Sequence, residues 1–117
     1  SDDFKISKNQ ENEEQKNEEI IENLRIAVRP LSKEDIKIRK LPNQTTGLVI
    51  TKIANNSPLA STIELNSIII EAQKKRIKTA DDLRNVADEV LNSNQKTILL
   101  AIYNNQNQRR YIGVKLD

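Results

Sequence analysis

Gly47-Leu48-Val49-Ile50-Thr51-Lys52-Ile53-Ala54-Asn55-Asn56-Ser57-Pro58-Leu59-Ala60, followed by Ile68-Ile69-Ile70, is the stretch on which the fold of this chain turns. Val49, Ile50 and Ile53 are β-branched residues that suit a pleated, half-buried strand. Asn55-Asn56 breaks the chain into a turn. Ser57 then reads as the cap of one helical turn with Pro58 at its first position, where the missing N–H costs nothing. Ile68-Ile69-Ile70 starts a second short strand that runs to Ala72.

Working outward, Leu24-Arg25-Ile26-Ala27-Val28 alternates apolar and polar or small residues, the period of a strand, and Pro30 ends it. Ser32 with Asp35 has the spacing of a capping box, predicting a short helix to about Arg39. Leu41-Pro42-Asn43-Gln44-Thr45-Thr46 is a loop. After Ala72, Gln73-Lys74-Lys75-Arg76 reads as a turn. Thr79 with Asp82 repeats the capping pattern, and Leu83, Val86, Ala87, Val90 and Leu91 fall at helical spacing, which predicts the longest helix, ending near Asn92. Thr97–Tyr103 and Arg109–Leu116 then form a hairpin across Asn104-Asn105-Gln106-Asn107.

The 117 residues bound the answer to one domain. The chain has neither cysteine nor histidine. That removes disulfides, thiolate nucleophiles, thiolate metal sites and the usual general base, so no Ser-His-Asp or Cys-His site can lie within it. The net charge of +2 is divided unevenly. Residues 1–22 hold eight acids and three lysines, net −5, and the rest hold 16 basic and nine acidic side chains, net +7. Residues 1–22 read as an acidic disordered linker and residues 23–117 as the folded domain, with apolar content resuming at Ile20-Ile21. A sharper reading has the acidic segment folding back on the basic domain. No apolar run approaches the roughly 20 residues that a membrane helix needs, and residues 1–22 lack the apolar core of a signal peptide.

The succession of Gly-hydrophobic-Val-hydrophobic, Ser-Pro-Leu-Ala and apolar strand resembles the core of a bacterial PDZ domain. It is most similar to the second PDZ domain of the DegP/HtrA serine endoproteases, over residues 24–116. The fold class expected is α+β and mainly β: a circularly permuted, partly open β-barrel or sandwich of five to six strands, with one long helix and one or two short ones. In that family a hydrophobic-Gly-hydrophobic loop captures a peptide C-terminal carboxylate on its backbone N–H groups. The matching residues here are Leu24-Arg25-Ile26. Arginine in place of glycine loses easy access to positive φ, while its guanidinium could pair with a carboxylate. The other reading of Arg25 is a solvated residue on a loop that binds nothing. A second departure is Thr62-Ile63-Glu64-Leu65-Asn66-Ser67, where the family has Gly-hydrophobic-x-x-Gly-Asp. Asn66 can still take a left-handed position.

The resemblance implies that an extended peptide adds a strand beside Leu24, Arg25, Ile26, Ala27 and Val28, against Leu83, Val86, Ala87 and Val90 of the long helix. For Val28, Leu83 and Val90 a purely core role is the stronger reading. It further implies a non-catalytic PDZ domain of a periplasmic protease, acting in oligomer assembly, gating or the holding of unfolded segments. Its partners would be other domains or protomers of that protease, or peptide C-termini, with no cofactor and an export signal outside these residues. The alternative is a peptide-binding PDZ module of another protease or of a secretion scaffold. Nucleic acid is disfavoured as a partner. Only Phe4, Tyr103 and Tyr111 could stack on bases, and the dense basic run Lys74-Lys75-Arg76-Ile77-Lys78 sits in a turn.

Overall fold

A computed structural model describes residues 17–116. Seven antiparallel strands form one open sheet: β1 (Glu19–Ile21), β2 (Ile26–Pro30), β3 (Leu48–Ile53), β4 (Ile68–Ala72), β5 (Lys75–Arg76), β6 (Thr97–Tyr103) and β7 (Arg109–Lys115). Among the described residues two helices complete it, α1 (Lys33–Arg39) and α2 (Ala80–Leu91). The order across the sheet is β1-β2-β3-β4-β6-β7, with β5 paired to β4. This is the α+β, mainly β architecture expected. The sheet stays open rather than closing into a barrel, and two small strands, β1 and β5, raise the count above five or six.

Alternation along the strands explains the layering. Leu48 and Ile50 of β3, Ile69 of β4, and Ile98, Leu100 and Ile102 of β6 join Leu83, Val86, Ala87 and Val90 of α2 in the larger buried cluster. Their neighbours Val49, Ile68, Ile70 and Ala101 point to the opposite face, into a smaller cluster with Leu41 against which Ile36 of α1 packs. A period of two thus divides each strand between two cores. α2 covers one face of the sheet and α1 the other.

Both helices start where the capping residues predict. The Ser32 hydroxyl accepts the Asp35 N–H at 3.0 Å, and the Asp35 carboxylate accepts the Ser32 N–H at 2.8 Å. Thr79 and Asp82 exchange the same pair of bonds at 3.1 and 3.0 Å. Each cap satisfies N–H groups that have no partner inside the helix. The turn predicted as helical after Ser57 is instead a run of turns over 58–62. A single bond from Ile63 N–H to the Leu59 carbonyl, 2.9 Å, has helical span. Gly47 is required by a close approach. A methyl group there would stand 2.7 Å from the Ile69 carbonyl oxygen and 2.8 Å from the Ile68 side chain.

With glycine this scarce, other residues take the left-handed positions. Arg25, Lys40, Asn66, Gln73, Lys74, Lys96 and Asn107 all have positive φ, from 53° to 71°. Asn66 does so at 71°, as its tolerance for that region suggested. Gln73 and Lys74 together make a two-residue turn between Ala72 and Lys75, so the segment read as one turn is a small hairpin containing β5.

Candidate functional site

The site follows from the way β2 begins. The chain enters through β1, turns over 22–25 and returns as β2, with Glu19 opposite Val28, Ile20 opposite Ala27 and Ile21 opposite Ile26. β2 starts at Ile26 rather than at Leu24 because Arg25 is left-handed, with φ of 53°. The freedom that arginine was expected to forfeit is therefore taken up. A left-handed position costs an L-residue roughly 1–2 kcal/mol, and four hydrogen bonds around the loop offset that. The Leu24 N–H donates to the Ile21 carbonyl at 3.1 Å, and the Arg25 N–H to the Glu22 carbonyl at 3.2 Å. The Arg25 carbonyl accepts the Ala54 N–H at 3.0 Å, and its guanidinium donates to the Asn56 carbonyl at 2.7 Å.

Ser57 fixes this loop from below. It is buried, its hydroxyl donates to the Leu24 carbonyl, and it accepts the Leu59 N–H at 3.0 Å. The Ser-Pro-Leu-Ala motif thereby braces the loop, with Ser57 reaching back 33 residues to Leu24, a link that sequence spacing alone does not show.

Leu24, Ile26, Ala27 and Val28 are all buried, and Arg25 is exposed. On α2, Leu83, Val86, Ala87 and Val90 are buried in the larger cluster with Leu24, Ile26 and Val28. Ala27 faces away from that cluster. An open apolar depression of about 670 Å³ lies on its side of the hairpin, lined among others by Ile20, Arg25, Ile53 and Lys52.

The residues that sequence reasoning missed are those of the segment lying along β2. Ile21 is fully buried and belongs to the same cluster as Leu83 and Val86. Arg84 on α2 donates to the Ile20 carbonyl at 3.0 Å and to the Glu19 carboxylate at 3.2 Å, while also binding Asp81 at 2.7 Å. The Asn23 side-chain amide donates to Asp88, also on α2. Glu18 accepts the Thr51 hydroxyl at 2.6 Å and pairs with Lys52 at 3.3 Å. The Thr51 bond is the main reason that its carboxyl is held below the usual range, with the Lys52 contact adding to it. Two of the acids in the −5 segment thus reach basic residues of the folded part. Residues 1–16 lie outside the described residues, so most of the expected linker is not part of this picture. Arg84 carries no sequence signal of its own beyond following Leu83 on the predicted helix.

The arrangement holds a strand: β2 pairs with β3 on one side and with β1 on the other. α2 supplies apolar side chains and the Arg84 guanidinium, and the 22–25 loop gives the Leu24 and Arg25 N–H groups to the Ile21 and Glu22 carbonyls. Among the described residues no cluster of three or more His, Cys, Asp or Glu side chains could hold a metal. No described helix is long and apolar enough to cross a membrane.

No protein-family model matches the sequence, and no curated protein matches it. The fold has likenesses among solved structures. One is an HtrA-type protease, AlgW, with a decapeptide: TM-score 0.58, 18% identity, covering 80% of this chain and 28% of that one. Another is a variant of AlgW, also with a decapeptide, at TM-score 0.61 and 18% identity over the same shares. At that identity the likeness is one of fold. This chain corresponds to little more than a quarter of the length of those proteases.

Proposed function

We propose that this chain is a non-catalytic PDZ-like module of an HtrA-type serine protease, and that its groove between β2 and α2 receives extended peptide segments by strand addition. The observation that supports this most directly is the geometry of β1. A strand lies antiparallel along β2, runs towards the 22–25 loop, and presents its last carbonyl to the Leu24 N–H. That is the polarity in which a peptide C-terminus would enter. The left-handed Arg25 supports the same reading, since it sits where the resembled family places a glycine. In the parent protease the module would act in assembly and gating, with other protomers or unfolded segments as partners and the periplasm as its compartment. Proteolysis would belong to another domain, because a chain without histidine cannot supply the Ser-His-Asp triad of a serine protease of this type.

The test is a titration of the isotope-labelled chain, and of its Ile21→Asp variant, with a peptide ending in an apolar residue with a free carboxylate. Amide shifts are expected to concentrate at residues 24–28 and 83–90. Amidating the peptide should weaken binding roughly tenfold, the share of a charge-assisted hydrogen bond. Shifts confined to β7, or none in either protein while both remain folded, would overturn the proposal.

A further inference from the structure

The groove is already filled. Accepting the strand-binding reading above, we infer that the segment from Glu18 to Glu22 is a built-in ligand that closes the groove in cis, and that its own contacts define the competing peptide: an apolar end residue with an acid two positions before it.

The contacts along β1 carry this. Ile21 occupies the apolar end position, fully buried among the residues of α2 and β2. Its carbonyl takes the Leu24 N–H, the place where a terminal carboxylate would sit. Two residues earlier, Glu19 meets the Arg84 guanidinium, which also holds the Ile20 carbonyl. Ile20, between them, is 64% exposed and contributes little to the fit. The strand is therefore read at two side chains and by its backbone, as an exogenous peptide would be.

Its attachment is also short. Three residues pair with β2, Ile21 alone is buried, and the rest of the hold comes from exposed or partly exposed polar side chains: Arg84, Asn23, Glu18 and Lys52. Exposed pairs of this kind contribute little each, typically well under 1 kcal/mol. What keeps the segment in place, beyond Ile21, is its tether. A four-residue turn gives it an effective concentration on the order of millimolar. A free peptide of similar intrinsic affinity in the ten-micromolar range would consequently bind roughly 100-fold more weakly to the closed chain.

The experiment uses the full chain and a fluorescent peptide copying residues 15–21, Gln-Lys-Asn-Glu-Glu-Ile-Ile, with a free carboxylate. Three proteins are compared by anisotropy: the unaltered chain, Ile21→Asp, which puts a charge into the apolar end position, and Arg84→Glu, which sets a like charge against Glu19. The Arg84 side chain is 35% exposed, at the margin of the core rather than within it, so this variant serves if Ile21→Asp does not fold. The unaltered chain should bind at least tenfold more weakly than Ile21→Asp. Arg84→Glu should bind the peptide whose penultimate-but-one Glu is replaced by Lys in preference to the original, and Ile21→Asp the original. Equal binding by the unaltered chain and the variants would overturn closure in cis while leaving strand binding intact. No binding by any folded protein would overturn both. Indifference to the Glu-to-Lys exchange would overturn the acid requirement.

Discussion

At one end of the sheet β7 pairs with β6 along its whole length, from Thr97 opposite Lys115 to Tyr103 opposite Arg109. At the other end β1 pairs with β2 through three residues only. Both outer strands are largely exposed, and each sends few side chains inward. The difference lies in what stands behind them. β6 carries Ile98, Leu100, Ala101 and Ile102 into the two cores, so β7 is laid on the best-anchored strand of the sheet. β1 is fastened by Ile21 and by polar side chains reaching from α2 and β3. On this contrast, β7 should unfold with the domain as a whole and β1 should undock before it. Edge strands expose a row of unpaired backbone groups that invite further pairing. Here the long edge carries Arg109, Arg110 and Lys115, whose charge discourages association, while the short edge lies beside a groove.

The comparison is broken or sharpened most strongly by shaving one buried side chain at each end. Leu100→Ala should cost about 2–5 kcal/mol, the usual range for a core leucine, and it should lower the urea midpoint of the whole domain. Ile21 is just as buried, yet Ile21→Ala should lower that midpoint by less than half as much. Once its cost exceeds the free energy of docking β1, the strand detaches and the domain loses nothing more. Equal shifts in the two urea curves would show that β1 unfolds only with everything else.

A smaller effect tests whether β2 stays put when β1 leaves. On the far half of β2, Arg29 donates two bonds to the Asp35 carboxylate of α1, at 2.7 and 3.0 Å. The Arg29 bond, helped by the Ser32 N–H and hydroxyl, lowers the Asp35 pKa to about 2 from an ordinary 3.8. A folded-state pKa below the unfolded one means stability that is complete above about pH 4 and is lost as pH falls towards 2. Asp35→Asn should cost about 1–2 kcal/mol at pH 7, the low end for a hydrogen bond to a charged group because the pair is partly exposed. The cost should shrink as pH falls through about 2. Stability curves of the two proteins from pH 7 to 2 should converge. Hydrogen exchange of the β1 amides, measured relative to the global rate, should not change.

These contrasts also mark what could be read in the sequence. β4 and β6 were legible to the residue, because Ile68–Ala72 and Thr97–Tyr103 are apolar runs bounded by polar turns. Both helices were legible from their capping pairs. β5 was not, since two basic residues in a dense charge run carry no strand signal and are held by the turn before them, by pairing with β4 and by the Lys75–Glu89 ion pair. The candidate site was half visible. Its apolar residues on β2 and α2 follow from periodicity, but β1, which pairs with β2 and buries Ile21 against α2, lies in a segment whose charge reads as linker. Ile20-Ile21 offered two apolar residues, too few to show a period, and their placement depends on Arg84, 64 residues away from Ile20. Long-range polar contacts of that kind leave no local pattern.

The smallest expected effect compares the two hairpins, and it isolates what holds the strained turn beside the groove. Lys74 has φ of 67° and follows Gln73 at 53°, at an exposed turn between β4 and β5. Arg25 has φ of 53° at the turn between β1 and β2. Glycine relieves a left-handed backbone but loosens the unfolded chain, so Lys74→Gly should stabilise by about 0.5–1 kcal/mol net. Arg25→Gly gains the same backbone relief and loses the guanidinium bond to the Asn56 carbonyl. That bond is worth a similar amount, about 1 kcal/mol, so the net change in stability should be close to zero. The two variants, measured side by side by urea denaturation, separate a turn that merely tolerates its residue from one that uses it. A clear gain at Arg25 would mean that its side chain contributes nothing to the loop, and that arginine there is strain without compensation.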